Sequence, residues 1–486
     1  MAATRWHVRD FFSSLILHRG KFDLLQIGII NRLLKHRAFQ YAAMMVNLFV
    51  FWVIILSGFF GSPVGNRNIS IVFVWILWWF ALIVLMVPLL SRIWCTMCPL
   101  PAFGEWLERR ALVKKRSAFK YLSLRKPWPS KLNNIWLQNL GFLAIATFSA
   151  LLVTRPVVTA IVLLILFVVP VFLVLIYSRR VFCRFICPVG GFLGLFSMFS
   201  ALELRPKDKT LCRNHMTKEC VRGNDNGYGC PWIIYPGGLE RNNYCGLCFE
   251  CIKTCPYNNL ALNLRSFGGD ILAKTGRALD EAWKSFIMLT LAGLYILVMQ
   301  GPWGVLKDWS NVFWAPPYGW ALTGVGGFLP YVGIFWGLSL AVTPSVFFLF
   351  TGASKLASGV RSVPLKKLFI DFSYELIPLA LMAWIAFSIP LLLVNWSYIV
   401  NALLDPVGLG WNVFSGLYVP WTPLIPAVIP YLQSIVLAVG LAYSIKYSYR
   451  LAKQNFPEGK AALKAFLPQV VFLTFVSMIF LWLFMG

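Results

Sequence analysis

Cys245-Gly246-Leu247-Cys248-Phe249-Glu250-Cys251-Ile252-Lys253-Thr254-Cys255-Pro256 is the stretch on which the rest of the chain turns. Its spacing is Cys-x2-Cys-x2-Cys-x3-Cys-Pro. Three thiolates this close wrap three corners of one iron–sulfur cubane, and the fourth, held before a proline, turns away to a second cubane. A zinc site has no need of such a run.

A two-cluster ferredoxin arrangement requires a partner half, and one lies upstream. Cys230-Pro231 has the Cys-Pro ending, so Cys230 is expected to complete the [4Fe–4S] site of Cys245, Cys248 and Cys251. Cys255 then needs three companions. Cys212 and Cys220 supply two. The remaining position falls on His215, because Cys212-x2-His215 repeats the spacing of Cys245-x2-Cys248. Insertions stretch this half. Residues 221–229, Val-Arg-Gly-Asn-Asp-Asn-Gly-Tyr-Gly, are turn chemistry and can loop out. The competing reading of His215 is a surface histidine bonded to nearby backbone.

Four cysteines remain, in Cys95-x2-Cys98-Pro99 and Cys183-x3-Cys187-Pro188. Each pair follows basic residues that end an apolar run, Arg92 in one case and Arg179-Arg180 in the other. Two pairs make one tetrathiolate centre, read as a third iron–sulfur centre, with a single iron or zinc ion as the alternative. The 11 cysteines and His215 together match the ligand demand of three cubanes.

The surroundings are apolar. The 486 residues are 59% hydrophobic, with a mean hydropathy of +0.70, which excludes an ordinary water-soluble protein and points to a polytopic α-helical membrane protein. Apolar runs near 40–60, 70–92, 133–153, 157–177, 284–302, 326–350, 373–396, 425–445 and 467–485 predict about nine transmembrane helices. Thr154-Arg155-Pro156 turns the third into the fourth. Aromatic residues near Trp303, Trp309, Trp314, Tyr318 and Trp320 suit a membrane interface. The first forty residues are basic and amphipathic and do not read as a cleavable signal peptide.

Basic residues set the orientation. Arg5, Arg9, Arg19, Lys21, Arg32, Lys35 and Arg37 precede the first run. Arg109, Arg110, Lys114, Lys115, Arg116, Lys120, Arg125, Lys126 and Lys131 follow the second. Lys355, Arg361, Lys366 and Lys367 lie in one later loop, and Lys446, Arg450, Lys453, Lys460 and Lys464 in another. With nine crossings all four groups share one side, so the N-terminus is expected to be cytoplasmic. Every cysteine then lies on the reducing side, where disulfides do not persist and metal ligation is the natural alternative. The net charge of +26 is read as attraction to anionic lipid, and no nucleic-acid partner is expected.

Four segments follow. Residues 1–39 form a basic cytoplasmic or interfacial segment. Residues 40–178 form a four-helix membrane core with a basic cytoplasmic loop. Residues 179–283 are an inserted cytoplasmic ferredoxin-like two-cluster domain, and residues 284–486 a five-helix C-terminal membrane domain. Asp371 and Glu375, near a span end beside Lys366 and Lys367, are read as interfacial charges. Pro344, Pro378 and Pro390 can kink the later spans.

Arg-Arg-Val-Phe-Cys-Arg-Phe-Ile-Cys-Pro-Val-Gly-Gly-Phe at 179–192, Cys-Thr-Met-Cys-Pro at 95–99 and the run at 245–256 make roughly residues 40–270 resemble the membrane polyferredoxins of the NapH, NosR and CcoG type. Members usually carry Cys-x3-Cys-Pro twice, whereas the first copy here is Cys-x2-Cys-Pro. The resemblance implies electron transfer through cytoplasmic iron–sulfur clusters, to or from a quinone or a membrane-linked partner. Residues 284–486 have no counterpart in that core.

No heme, flavin or nicotinamide signal accompanies the cysteines. His7, His18, His36 and His215 are the four histidines, and none falls in a predicted span. No Gly-x-Gly-x-x-Gly or Walker loop occurs. The expected function is a multi-pass inner-membrane electron carrier, relaying electrons between a cytoplasmic redox protein and the quinone pool or the subunits of a membrane oxidoreductase complex. Lys207, Lys209, Arg213, Lys218 and Arg222 would attract an acidic partner. The alternatives are a quinone oxidoreductase in its own right, or a redox sensor or metallocentre maturation factor.

Overall fold

Eight helices among the described residues are long and apolar enough to cross a membrane: Arg37–Phe60, Ile69–Leu90, Pro156–Ile176, Leu279–Met299, Val325–Ser358, Leu365–Leu404, Pro426–Asn455 and Gly459–Met485. The structure is a computed structural model, and it describes residues 21–110, 122–177, 179–300, 304–313, 324–410 and 418–485. Arg5, Arg9, Arg19, His7, His18, Lys114, Lys115, Arg116, Lys120, Trp303, Trp314, Tyr318 and Trp320 lie outside the described residues.

The expected run 133–153 folds differently. It forms two helices, Trp136–Thr147 and Ser149–Thr154, interrupted at Phe148 (φ −92°, ψ 15°). The cause is local. Thr147 Oγ1 donates to the Leu143 carbonyl at 2.7 Å and accepts from Trp336 Nε1 at 2.9 Å. A hydroxyl bonded back to the preceding turn bends a helix.

By contacts along the chain the protein divides into two compact units. One comprises residues 1–52, 85–134 and 165–275, and the other residues 53–84, 135–164 and 276–486. All the cysteines fall in the first.

The first unit is organised on a three-stranded antiparallel sheet of order β1-β3-β2, with β1 Phe22–Asp23, β2 Leu202–Pro206 and β3 Leu260–Leu264. Leu202 pairs with Leu264, and Pro206 with Leu260. The strand period of two sorts the side chains. Leu202, Leu204, Leu260, Leu262 and Leu264 pack with Leu247, Phe249, Cys251 and Ile252. Glu203 and Arg205, on the opposite face, join Arg265 and Asp270: Arg265 Nη1 lies 3.0 Å from Glu203, and Arg205 Nη2 lies 2.7 Å from Asp270. Strand β1 comes from the segment read as basic and interfacial. Phe22 pairs with Leu264, and Asp23 Oδ1 accepts from Leu262 N at 3.0 Å. The sheet thus closes the two ends of the ferredoxin-like segment against each other.

The second unit is a helical bundle. Trp384 is fully buried at its centre and donates from Nε1 to the Met288 carbonyl at 2.9 Å. Trp79, Phe142, Tyr295 and Phe387 meet its ring edge-on, a geometry set by the aromatic quadrupole. Helices Leu376–Leu404 and Ile429–Asn455 approach closely at Gly440, where a Cβ would fall 2.7 Å from Met382 Cβ. Small residues permit such contacts in apolar bundles. Asp371 pairs with Arg277 at 2.9 Å and with Lys367 at 3.8 Å, as a span-end charge should. Glu375, four residues on, is fully buried.

Candidate metal centres

The run at 245–256 is wound by left-handed turns. Cys245 ends the short turn Asn242–Tyr244. Leu247 (φ 48°) and Phe249 (φ 60°) adopt positive φ, which costs about 1–3 kcal/mol each for residues with a Cβ. Their burial in the leucine core, at 1% and 3% exposure, holds them there. Cys251 then lies on the one-turn helix Glu250–Thr254 that Cys255 caps. This winding brings Cys251 into electrostatic contact with Cys248, Cys245 and Cys230. Cys230, Cys245, Cys248 and Cys251 are the set expected from spacing for the first centre.

The second centre lies beside it. Cys212 sits on helix Lys209–Asn214, whose N-cap Asp208 accepts from Thr210 N at 2.7 Å, and His215 caps its other end. Cys220 sits on Glu219–Arg222. One pocket is lined by Cys212, His215, Cys220 and Cys255, together with Tyr235 and Tyr257. All four residues matched by register therefore meet. His215 Nε2 lies 2.7 Å from Thr217 Oγ1, and its ring stands edge-on to Tyr257. Within the upstream half, a bond from Cys230 N to Cys220 O at 2.8 Å ties the first centre to the second.

The set expected for the third centre is Cys95, Cys98, Cys183 and Cys187; Cys98, Cys183 and Cys187 each lie within electrostatic reach of other members. The two pairs are built alike. A left-handed residue, Ser91 (φ 60°) or Arg179 (φ 66°), ends the preceding segment. A buried arginine, Arg92 or Arg180, comes next. The first cysteine follows three residues later.

Nitrogen donors face the sulfurs in all three sets. Ile234 N reaches Cys230 Sγ at 3.4 Å and Gly190 N reaches Cys187 Sγ at 3.3 Å. Asn259 reaches Cys255 Sγ from its backbone at 3.4 Å and Cys212 Sγ from its side chain at 3.3 Å. Spacing did not reveal Asn259; its position just after Cys255-Pro256 is the only signal it left. Arg92 Nη2 lies 3.9 Å from Cys95 Sγ.

Burial pushes the thiols of Cys187, Cys220 and Cys245 up to about 11. It raises Cys98, Cys183, Cys248 and Cys251 further, and neighbouring thiolates add to the rise. Four crowded thiols therefore resist becoming thiolates unless a cation joins them, as metal ligation requires. The sets fit an iron–sulfur group in two further respects. Trp232 Nε1, buried against the Cys245–Cys248 loop, has no protein acceptor. Gly190 lets the Cys183–Cys187 loop close tightly, since a Cβ there would fall 2.9 Å from Cys183 O and 3.3 Å from Cys187 Cβ. Among the described residues no three His, Cys, Asp or Glu converge on a single metal ion.

Comparison with known proteins gives one match. Residues 71–119 and 159–206 each match the family model of a 4Fe-4S binding domain. The first stretch holds Cys95 and Cys98 and the second holds Cys183 and Cys187, so the structural repeat of left-handed turn, arginine and cysteine pair is also a sequence repeat. The two stretches cover about a fifth of the chain. No curated protein and no solved structure matches the chain. The repeated match supports an iron–sulfur, ferredoxin-like protein built into a multi-helix apolar frame.

Proposed function

We propose that this chain is a membrane-bound electron carrier. Its first centre is held by Cys230, Cys245, Cys248 and Cys251, its second by Cys212, His215, Cys220 and Cys255, and its third by Cys95, Cys98, Cys183 and Cys187. The observation that carries the proposal is their serial arrangement. Thr96, between Cys95 and Cys98 of the third centre, donates from Oγ1 at 3.2 Å to the carbonyl of Gly246, between Cys245 and Cys248 of the first. Cys230 N of the first centre donates to the Cys220 carbonyl of the second at 2.8 Å. The order is third, first, second. A bound four-iron cluster supplies a one-electron couple at each position.

The second centre is the end suited to a soluble partner. Met216, Tyr257, Arg213 and Lys218 are exposed around it. Lys207 and Lys209 have carboxylate neighbours, Asp23 at 3.4 Å and Glu240 at 3.4 Å, so Arg213 and Lys218 carry more of the attraction for an acidic redox protein. The third centre is the end suited to the quinone pool or a membrane oxidoreductase complex, because Cys95 and Cys183 closely follow the apolar helices ending at Leu90 and Ile176.

The helix pair Trp136–Thr147 and Ser149–Thr154 rises roughly 28 Å, close to the hydrocarbon thickness of about 30 Å. Counted as a crossing, it keeps the basic loops on one side and the N-terminus and all three centres in the cytoplasm. Helix Gly28–Lys35 exposes Ile29 and Leu33 and carries Arg32 and Lys35, a composition suited to lie on anionic lipid.

Anaerobic purification with iron and sulfide counts, and EPR on reduction, tests the proposal. Roughly twelve irons per chain are expected for three cubanes. A count of about eight would remove the third cubane, and a preparation with no EPR-active cluster would remove the carrier itself.

A further inference from the structure

We propose that Arg92 and Trp232 form a bridge between the third and first centres, a shared counter-cation and a hydrogen-bond donor that together set the potentials of the two. The bridge rests on the iron–sulfur reading of those centres.

Arg92 is 2% exposed. Its Nη1 donates to the Asn243 carbonyl, its Nη2 lies 3.9 Å from Cys95 Sγ, and its guanidinium stacks 4.6 Å over the Trp232 ring. Its Nε has no partner, and no carboxylate pairs with it among the described residues. A buried guanidinium without a counter-ion is strongly disfavoured. The Nη2 of Arg92 faces Cys95 of the third centre, and the ring it stacks on, Trp232, packs against the Cys245–Cys248 loop of the first.

Arg180 provides the contrast. It occupies the same place in the second repeat, but Glu105 Oε1 lies 2.6 Å from its Nε. Its charge is compensated within the protein, and that of Arg92 is not. Two arginines equivalent by sequence therefore differ in what remains for a cluster to neutralise.

Trp232 follows Cys230-Pro231 and is 2% exposed. Its indole lies so close to the Cys245–Cys248 loop that a Cβ on Gly246 would fall 2.1 Å from Nε1. The indole N–H can only donate, and it has no acceptor in the protein. The acceptors this position lacks are the sulfurs of the group that Cys230, Cys245, Cys248 and Cys251 would hold. Positive charge and hydrogen bonds to sulfur both raise the potential of an iron–sulfur centre. Arg92 is placed to act on both centres, Trp232 on the first alone.

Anaerobic EPR redox titration of the full-length protein tests this. Trp232→Phe keeps the ring and removes the N–H. It should shift the reduction equilibrium of one centre about tenfold toward the oxidised form, about 59 mV for one electron, and leave the others in place. Arg92→Gln should lower two centres together, and Arg92→Lys should restore most of that loss. Unchanged midpoints in both Trp232→Phe and Arg92→Gln, with full iron content, would overturn the bridge. If Arg92→Gln loses iron, Trp232→Phe decides alone, and an unchanged midpoint there overturns the proposal. Wild-type protein without cluster iron would instead overturn the carrier reading.

Discussion

Arg180 and Glu105 form an ion pair at 2.6 Å, with each side chain 2% exposed. Arg109 approaches the same carboxylate at 3.1 Å. Burial alone would raise the Glu105 carboxyl, but Arg180 and then Arg109 outweigh it and hold it below its ordinary value. Arg180 Nη1 also donates to the Cys95 carbonyl at 3.0 Å, so the pair anchors one cysteine repeat to the other. Glu105→Ala strands the buried Arg180 guanidinium and leaves Arg109 with Glu108, at 3.9 Å, as its carboxylate partner. Removing one partner of a buried pair costs about 3–5 kcal/mol. The expected outcome is a large drop in thermal midpoint, with iron lost from the third centre. Iron counts and a thermal melt of the purified variant check it.

Gly229 sits at φ 75°, and a Cβ there would fall 2.4 Å from Val221 O and 2.5 Å from Gly223 N. The neighbouring bond from Cys230 N to Cys220 O, at 2.8 Å, ties a first-centre cysteine to a second-centre one. Gly229→Ala meets backbone atoms that cannot yield, and an alanine at positive φ adds strain. A loss of about 1–3 kcal/mol is expected, with reduced iron in both ferredoxin-like centres and the third retained. Quantitative EPR of the three signals would detect it, and equal loss from all three would contradict it.

The cysteine sets come from spacing, which limits which thiolates can share a cluster. His215 was singled out the same way, by register, and it lines one pocket with Cys212, Cys220 and Cys255. The apolar helices were legible as runs of apolar residues. The break at Phe148 was not, since it depends on Thr147 meeting Trp336, a residue distant in sequence. Strand β1 was hidden by its length of two residues, too short for alternation to appear. Asp371 and Glu375 looked alike in sequence, but packing buries both, and only Asp371 is given a cationic partner, Arg277 at 2.9 Å. Trp232 left no signal, because an aromatic residue after Cys-Pro reads as core until its unpaired N–H is seen.

The far face of the sheet predicts acid sensitivity. Burial alone would raise Glu203 and Asp270, but Arg265, followed by Arg205, outweighs it and holds both carboxyls below their ordinary values. A carboxyl depressed in the folded state stabilises fully above its unfolded value, about 4, and loses that contribution as pH falls through the folded value. The thermal midpoint of the first unit, followed by tryptophan fluorescence, should therefore be steady near neutrality and fall below about pH 4. Glu203→Gln should lower the midpoint at pH 7 and flatten the acid slope. A variant with an unchanged slope would show that these carboxyls do not govern it.

His215 gives the most discriminating substitution. Its Nε2 lies 2.7 Å from Thr217 Oγ1, yet its ring shares the pocket of Cys212, Cys220 and Cys255. If the imidazole is the fourth ligand, it replaces a thiolate and removes one negative charge from the second centre. Histidine ligation raises the potential of Rieske centres by the same principle. His215→Cys should therefore keep the second centre and lower its potential, whereas His215→Ala should lose iron from that centre or leave it with three thiolates and an altered EPR signal. Thr217→Val separates the two roles of the ring. It removes the hydrogen bond without touching a ligand, so it should leave the cluster signal in place. If His215→Ala has the wild-type spectrum and midpoint, the histidine is a surface residue held by Thr217, and the second centre takes its fourth ligand from elsewhere.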